Sequence, residues 1–281
     1  MSVRRRCLGH FRIRLVVIGT DSPVGEAGSG GQVGASRALS TVGVVGTMDA
    51  VELSELVRAR LLSPGEAVDA AIARAEATNP VLNAIVESDY DAARARAETV
   101  ARDGLLAGVP TLLKDLGAPL EGDRGYRANR VLREMDYRYR YTGNVARRLA
   151  AAGAVSLGRS HSPELGSGNC PAAAETALYG PCRNPWDLDR TALGSSGGAA
   201  AAVAAGIVAI AHASDGGGSI RLPASACGVV GLKPSRGRIS IAPEGEGWAG
   251  GATDGVISRT VRDTALGLDV LAGWEPGSGG C

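Results

Sequence analysis

The sequence predicts an α/β fold, and three observations carry that prediction. A helical stretch over 143–152 passes through Gly153 into an apolar strand at Ala154–Gly158. The alternation recurs where a small-residue helix over Ser196–Ala205 runs through Gly206, a C-terminal cap, into the apolar run Ile207–Ala213. Repeated helix-to-strand alternation is the pattern of an α/β domain. The third observation is size: 281 residues bury a full core, as one large domain or two small ones.

Taken in order, residues 1–47 stand apart. They are Arg-rich to Arg14, briefly apolar at Leu15–Ile18, then Gly/Ser-rich, and they read as a disordered or non-native extension, with Met48 a natural start. The apolar run is too short to span a membrane, and Arg12 and Arg14 interrupt any signal-peptide core. From Asp49, Val51, Leu53, Leu56, Val57 and Leu61 fall at helical spacing. Ser63-Pro64-Gly65-Glu66 carries the cap, first-turn proline and capping-box glutamate of a second helix, which Asn79-Pro80 should end near Thr78. Residues 88–102 read as a solvent-facing helix, and Gly108–Asp115 as a short apolar strand with a lysine at its end. Residues 117–142 read as polar loop, Asn184–Leu193 not as strand, and Asp215–Ser219 as the turn after the second strand. A helix starts near Pro223, Val229–Lys233 returns to the core, and Ser258 and Thr260 cap a last helix to about Ala272. Residues 48–274 thus form the folded domain, and 275–281 a disordered Gly/Ser/Pro tail.

Composition excludes several functions. Net charge is +1, so no overall field recruits nucleic acid or an anionic membrane. Five scattered cysteines (7, 170, 182, 227 and 281) hold no Cys-x-x-Cys, which argues against a disulfide framework and a zinc site and for a reducing, cytoplasmic setting. No phosphate-binding P-loop and no dinucleotide fingerprint is present, so no cofactor and no metal is implied.

The chemistry concentrates in Leu193–Pro234. Three serines lie in two glycine-dense turns, Gly194-Ser195-Ser196-Gly197-Gly198 and Asp215-Gly216-Gly217-Gly218-Ser219. A Gly/Ser cluster alone is ordinarily a loop. Two of them around a buried-looking helix form backbone concavities suited to negative charge. The first also matches a Gly-x-Ser-x-Gly elbow around Ser196, but that motif needs a strand before it and then an acid and a histidine. Only His212 follows, with no acid between, so a Ser-His-Asp hydrolase is rejected and His161 and His212 read as structural. Of 30 basic residues only Lys114 and Lys233 are lysine, the side chain that burial can turn into a neutral base. Serine chemistry with a lysine base remains.

Four segments in order, Gly-Val-Pro-Thr-Leu-Leu-Lys-Asp (108–115), Gly-Ser-Ser-Gly-Gly (194–198), Asp-Gly-Gly-Gly-Ser-Ile-Arg-Leu-Pro-Ala (215–224) and Gly-Leu-Lys-Pro (231–234), resemble the amidase signature family of serine hydrolases. The resemblance implies a mixed sheet flanked by helices and a Ser–cis-Ser–Lys triad. Its lysine falls on Lys114, its bridging serine on Ser195 and its nucleophile on Ser219. Its oxyanion hole falls on the N–H groups of Gly216, Gly217, Gly218 and Ser219, and Lys233 falls in a structural turn. Asn184–Asp187, His212–Asp215 and Lys233–Gly237 are most similar to the 6-aminohexanoate-cyclic-dimer hydrolase branch, which implies a small aliphatic or aromatic amide as partner and leaves a homodimer open. Ala192-Leu193 departs from the family's Pro-Gly, and Ser160-His161 from its Thr-Asn. Family members continue well past residue 272, so the C-terminal part of the fold is expected to be absent. The alternatives are an inactive fragment and an amidotransferase A-like component that needs partner chains.

Overall fold

A computed structural model describes residues 46–167, 175–245 and 247–275. The expectation for 1–47 therefore lies outside the described residues except at Gly46, which is buried and whose carbonyl accepts from Arg259 at 2.8 Å, and Thr47. The expectation for 275–281 lies outside them beyond Glu275, as do Cys7, Cys170 and Cys281; Cys182 and Cys227 are free, buried thiols.

In chain order the elements are α1 (Ala50–Arg58), α2 (Pro64–Leu82), β1 (Ile85–Ser88), α3 (Tyr90–Thr99), β2 (Pro110–Lys114), α4 (Arg130–Glu134), α5 (Asn144–Ala151) and β3 (Val155–Ser160). Two small hairpins follow, β4 (Glu175–Thr176) with β5 (Gly180–Pro181) and β6 (Arg183–Asn184) with β7 (Asp187–Thr191). Then come α6 (Gly197–Ala204), β8 (Ile210–Asp215), α7 (Arg221–Cys227), β9 (Val230–Gly231), β10 (Thr253–Ser258) and α8 (Val261–Leu271). Two three-stranded ladders form the centre. One has the order β1-β3-β2, with β1 antiparallel and β2 parallel to β3; the other is antiparallel in the order β8-β10-β9.

The ladders meet where β2 packs on β8, and side chains stitch that seam: Thr111 Oγ1 donates to the Ile210 carbonyl at 2.9 Å, and the Lys114 N–H donates to His212 Nδ1 at 3.2 Å. Both faces of the strands are covered. Leu112, Val155, Leu157, Ala211 and Ala213 face one apolar cluster with α2, α3 and α6; Leu113, Ala209, Ile210 and Val256 face another with α1, α5 and α8. Such two-sided burial is why the strands read as continuous apolar runs rather than alternations. The fold is α/β with a mixed sheet flanked by helices, as expected.

α6 lies across the seam, touching β2, β3, β8 and β10. Its sequence Gly-Gly-Ala-Ala-Ala-Ala-Val-Ala lets it sit close. A Cβ on Gly198 would fall 2.3 Å from the His161 nitrogen and 2.4 Å from the Ala84 oxygen.

Several expectations are corrected. α1 stops at Arg58 and Leu61 is exposed, because the chain turns at Arg60, whose φ is +60°. α2 runs through Pro80 to Leu82 and ends where Asn83 turns left-handed; proline in a last turn removes only one helix bond. Asn79, expected to stop the helix, instead brackets the start of β1 with bonds to both the N–H and the carbonyl of Ile85. The expected third helix is shorter, with Ser88 closing β1 and α3 running from Tyr90 to Thr99, and α3 buries Ala93 and Ala97 rather than facing solvent throughout. α4 forms within the expected loop, β7 forms within 184–193, and β9 is short, with Leu232 exposed beyond it. β10 had no legible signal, since its run Thr-Asp-Gly-Val-Ile-Ser holds only two apolar side chains, one for each face.

Candidate active site

The site grows from the end of β2. Lys114 is fully buried there. Its Nζ donates to Ser195 Oγ at 2.7 Å and to Ser214 Oγ at 3.0 Å. Burial pushes the amine's pKa down from 10.5 to about 7, against the opposing pull of Asp254 and Asp215. A lysine there gives up its proton more readily than a surface lysine.

Ser195 enters through a cis Gly194–Ser195 peptide bond and is buried. Leu193, which precedes Gly194, has φ +59°, the left-handed region in which glycine is favoured. Ser196 ties three segments together. Its N–H donates to the Ser219 carbonyl at 3.2 Å, its Oγ donates to the Ser214 carbonyl, and its Oγ accepts from the Ser214 N–H, both at 3.3 Å. Ser219, half-buried, is thus held against the Ser195–Ser196 turn through its backbone. Among the described residues no hydrogen bond reaches its hydroxyl.

The turn 215–219 is organised by a residue that the motif contained but that sequence reasoning did not single out. Buried Asp215 accepts from the N–H groups of Gly218 (2.7 Å), Ile220 (3.1 Å) and Arg221 (3.2 Å), and from Arg221 Nε and Nη2 (both 2.9 Å). Burial alone would raise its pKa; the Arg221 guanidinium and the three N–H groups outweigh that and hold it well below the carboxylate range. This bears on the expected oxyanion set of Gly216, Gly217, Gly218 and Ser219. The Gly218 N–H is committed to Asp215, and the N–H groups of Gly216, Gly217 and Ser219 remain. Gly218 itself has φ +123°, with Leu222 against it. A Cβ on Gly216 would meet the Trp248 ring at 3.0 Å, so Trp248 and Leu222, both more than half exposed, flank the turn.

The remaining candidates have structural partners. Lys233 Nζ donates to the Pro234 carbonyl, and His161 Nε2 lies 3.0 Å from the Gly180 carbonyl, with burial lowering its pKa to about 4. A strand, β7, does precede the Ser196 elbow, contrary to expectation. The Ser-His-Asp alternative is nonetheless closed, because Ser196 is fully buried with its hydroxyl engaged at Ser214, and His212 Nδ1 is occupied by the Lys114 N–H. His212 does have an acid partner, Asp254 at 2.7 Å, which sequence order hid by placing it 42 residues downstream. Among the described residues no His/Cys/Asp/Glu cluster could hold a metal ion, and no helix is long and apolar enough to cross a membrane.

Comparison with known proteins places the chain in a family. The Amidase family pattern matches residues 66–280. The chain is 43% identical over 236 residues to 6-aminohexanoate-cyclic-dimer hydrolase of Paenarthrobacter ureafaciens, covering 83% of this chain and 47% of that protein. It is 40% identical over 242 residues to an acylamidase of Rhodococcus erythropolis, covering 80% and 48%. The solved structure of 6-aminohexanoate cyclic dimer hydrolase with its substrate superposes with a TM-score of 0.79 at 43% identity over 83% of this chain and 48% of that one. The A component of the glutamyl-tRNA(Gln) amidotransferase of Moorella thermoacetica is 44% identical over 243 residues, covering 82% and 47%. The chain spans about half the length of the curated relatives it matches. With the family pattern matching residues 66–280 and relatives above 40% identical over four-fifths of its length, the chain belongs to the amidase signature family.

Proposed function

We propose that this chain hydrolyses the C–N bond of a small carboxylic amide through an acyl-enzyme on Ser219. One observation carries the reading: a fully buried lysine, with its pKa near 7, in a 2.7 Å hydrogen bond to a serine that shares a turn with the residue gripping Ser219. A neutral amine keeps a lone pair, and a hydroxyl both donates and accepts. Lys114 then takes the proton of Ser195 as Ser195 takes that of Ser219, and the Ser219 oxygen attacks the amide carbon. The N–H groups of Gly216, Gly217 and Ser219 receive the oxyanion, each good donor being worth about 2.7–4 kcal/mol. The proton returns to the leaving amine, and water completes hydrolysis along the same route. Trp248 and Leu222 beside the turn favour an apolar acyl or amine group, aliphatic or aromatic.

Intact-mass labelling with a fluorophosphonate tests this. The wild-type chain gains one adduct, and Ser219→Ala and Lys114→Ala do not. An unlabelled but cooperatively melting wild-type chain contradicts the reading. The Moorella relative favours a second one, a component that works only with partner chains. Amide turnover by the isolated chain excludes it.

A further inference from the structure

Beside Lys114 lies a buried pair that the serine–lysine chemistry does not use. His212 is wholly buried on β8, and Asp254 is nearly so on the neighbouring β10. We propose that His212 and Asp254 are positioning residues for Lys114, holding the end of β2 against β8 so that the amine meets Ser195. This rests on the reading of Lys114 as the base.

The hydrogen-bond inventory fixes the direction of the pair. A backbone N–H only donates, so His212 Nδ1, 3.2 Å from the Lys114 nitrogen, is an unprotonated acceptor. The ring proton therefore sits on Nε2, which donates to Asp254 Oδ1 at 2.7 Å. Asp254 thus selects the tautomer that can hold Lys114. The hold matters because β2 and β8 belong to different ladders, and the imidazole joins the Lys114 backbone of one to the other. Two residues along β8, on the same face, Ser214 accepts from Nζ at 3.0 Å. One strand face therefore ties down both the backbone and the head of the lysine.

Asp254 also acts by charge. The charged or titratable groups around Lys114 are Asp254 on β10, Asp215 at the end of β8, His212 on β8, Asp115 next in the chain, and Arg159 on β3, whose Nη1 donates to the Lys114 carbonyl. Asp254 and Asp215 favour the ammonium against burial. Removing the Asp254 charge lowers the pH at which the base becomes free.

The test is the fluorophosphonate labelling rate of the full chain against pH. The Ser219 oxygen bonds to phosphorus, fluoride leaves, and the proton passes to the base, so the rate rises as Lys114 loses its proton. His212→Leu, which cannot accept from the Lys114 N–H, is expected to slow labelling on the high-pH plateau by about tenfold to a hundredfold, the scale of a displaced catalytic group. His212→Asn places an amide oxygen near the Nδ1 position and restores most of the rate. Asp254→Asn moves the acid limb to lower pH. The imidazole ¹⁵N spectrum shows His212 protonated on Nε2 alone.

A cooperatively melting His212→Leu that labels at the wild-type rate overturns the proposal while leaving Lys114 as base. So does an unmoved limb in Asp254→Asn, or the opposite tautomer; these two decide the matter where His212→Leu does not fold. Equal labelling of wild type and Lys114→Ala overturns the reading of the base, and this proposal with it.

Discussion

At the scale of single residues, the site puts an amine where folding would prefer none. Lys114 has a pKa near 7 in the folded chain and an ordinary one unfolded, so the unfolded state binds the extra proton between those values. Stability contributed at this position therefore falls as pH drops from about 10.4 towards 7 and stays low below that. Lys114→Met is expected to raise stability at pH 6 by up to about 4 kcal/mol, with the gain shrinking towards pH 10, while labelling is lost. Denaturant melts at the two pH values measure it; a gain that does not vary with pH contradicts the depressed pKa. Leu193 is a second such residue. Its φ of +59° costs a side-chain-bearing residue about 1 kcal/mol, so Leu193→Gly should recover a similar amount in the same melts, and a loss would mean that the leucine's packing outweighs the strain. Much of the residue scale was legible. Lys114, Ser195 and the glycine turn are marked by short local motifs, and Leu193 stood out as a departure from Pro-Gly. Asp215's grip on the Gly218 N–H, and the pairing of His212 with Asp254, were not legible, because both depend on which way a carboxylate points across a turn or a strand pair.

At the scale of elements, the site is made where α6, β2 and β8 converge. α6 reaches that point because its small side chains let its first turn lie against His161 and Ala84. Gly198→Ala puts a methyl group into two backbone atoms at once and should cost about 1–3 kcal/mol, read as a lowered melting midpoint; an unchanged midpoint would mean that α6 has room the structure denies it. Helices were the legible elements, since caps such as Ser63 with Glu66 and Thr260 with Asp263 are written in adjacent residues. The strands were less so. β10 carries Asp254 and a glycine in six residues and becomes a strand through its pairing with β8 and β9, a tertiary cause that local pattern does not register. Pro80 misled for the related reason that its missing N–H matters little in a last turn.

At the scale of the whole molecule, two ladders with helices on both faces bring Lys114 and Ser195 together across 81 positions of sequence. Lys114 comes from the first ladder, and Ser195 and Ser219 from turns flanking α6 and β8, and the seam between the ladders is where they meet. The fold class was legible because helix–strand alternation survives errors at element ends. The division into two ladders joined by Thr111 and His212 was not, since it is set by side-chain bonds between strands that do not follow one another. Central to this account is a covalent acyl intermediate on Ser219, formed on a chain that spans about half the length of its curated relatives. The most direct test is acid-quenched mass spectrometry of the chain during turnover of a small anilide, followed by peptide mapping. The account predicts an acyl mass on the peptide containing Ser219, absent in Ser219→Ala and Lys114→Ala. Turnover that continues in Ser219→Ala, or an acyl group mapped to Ser195 or Ser196, would contradict it.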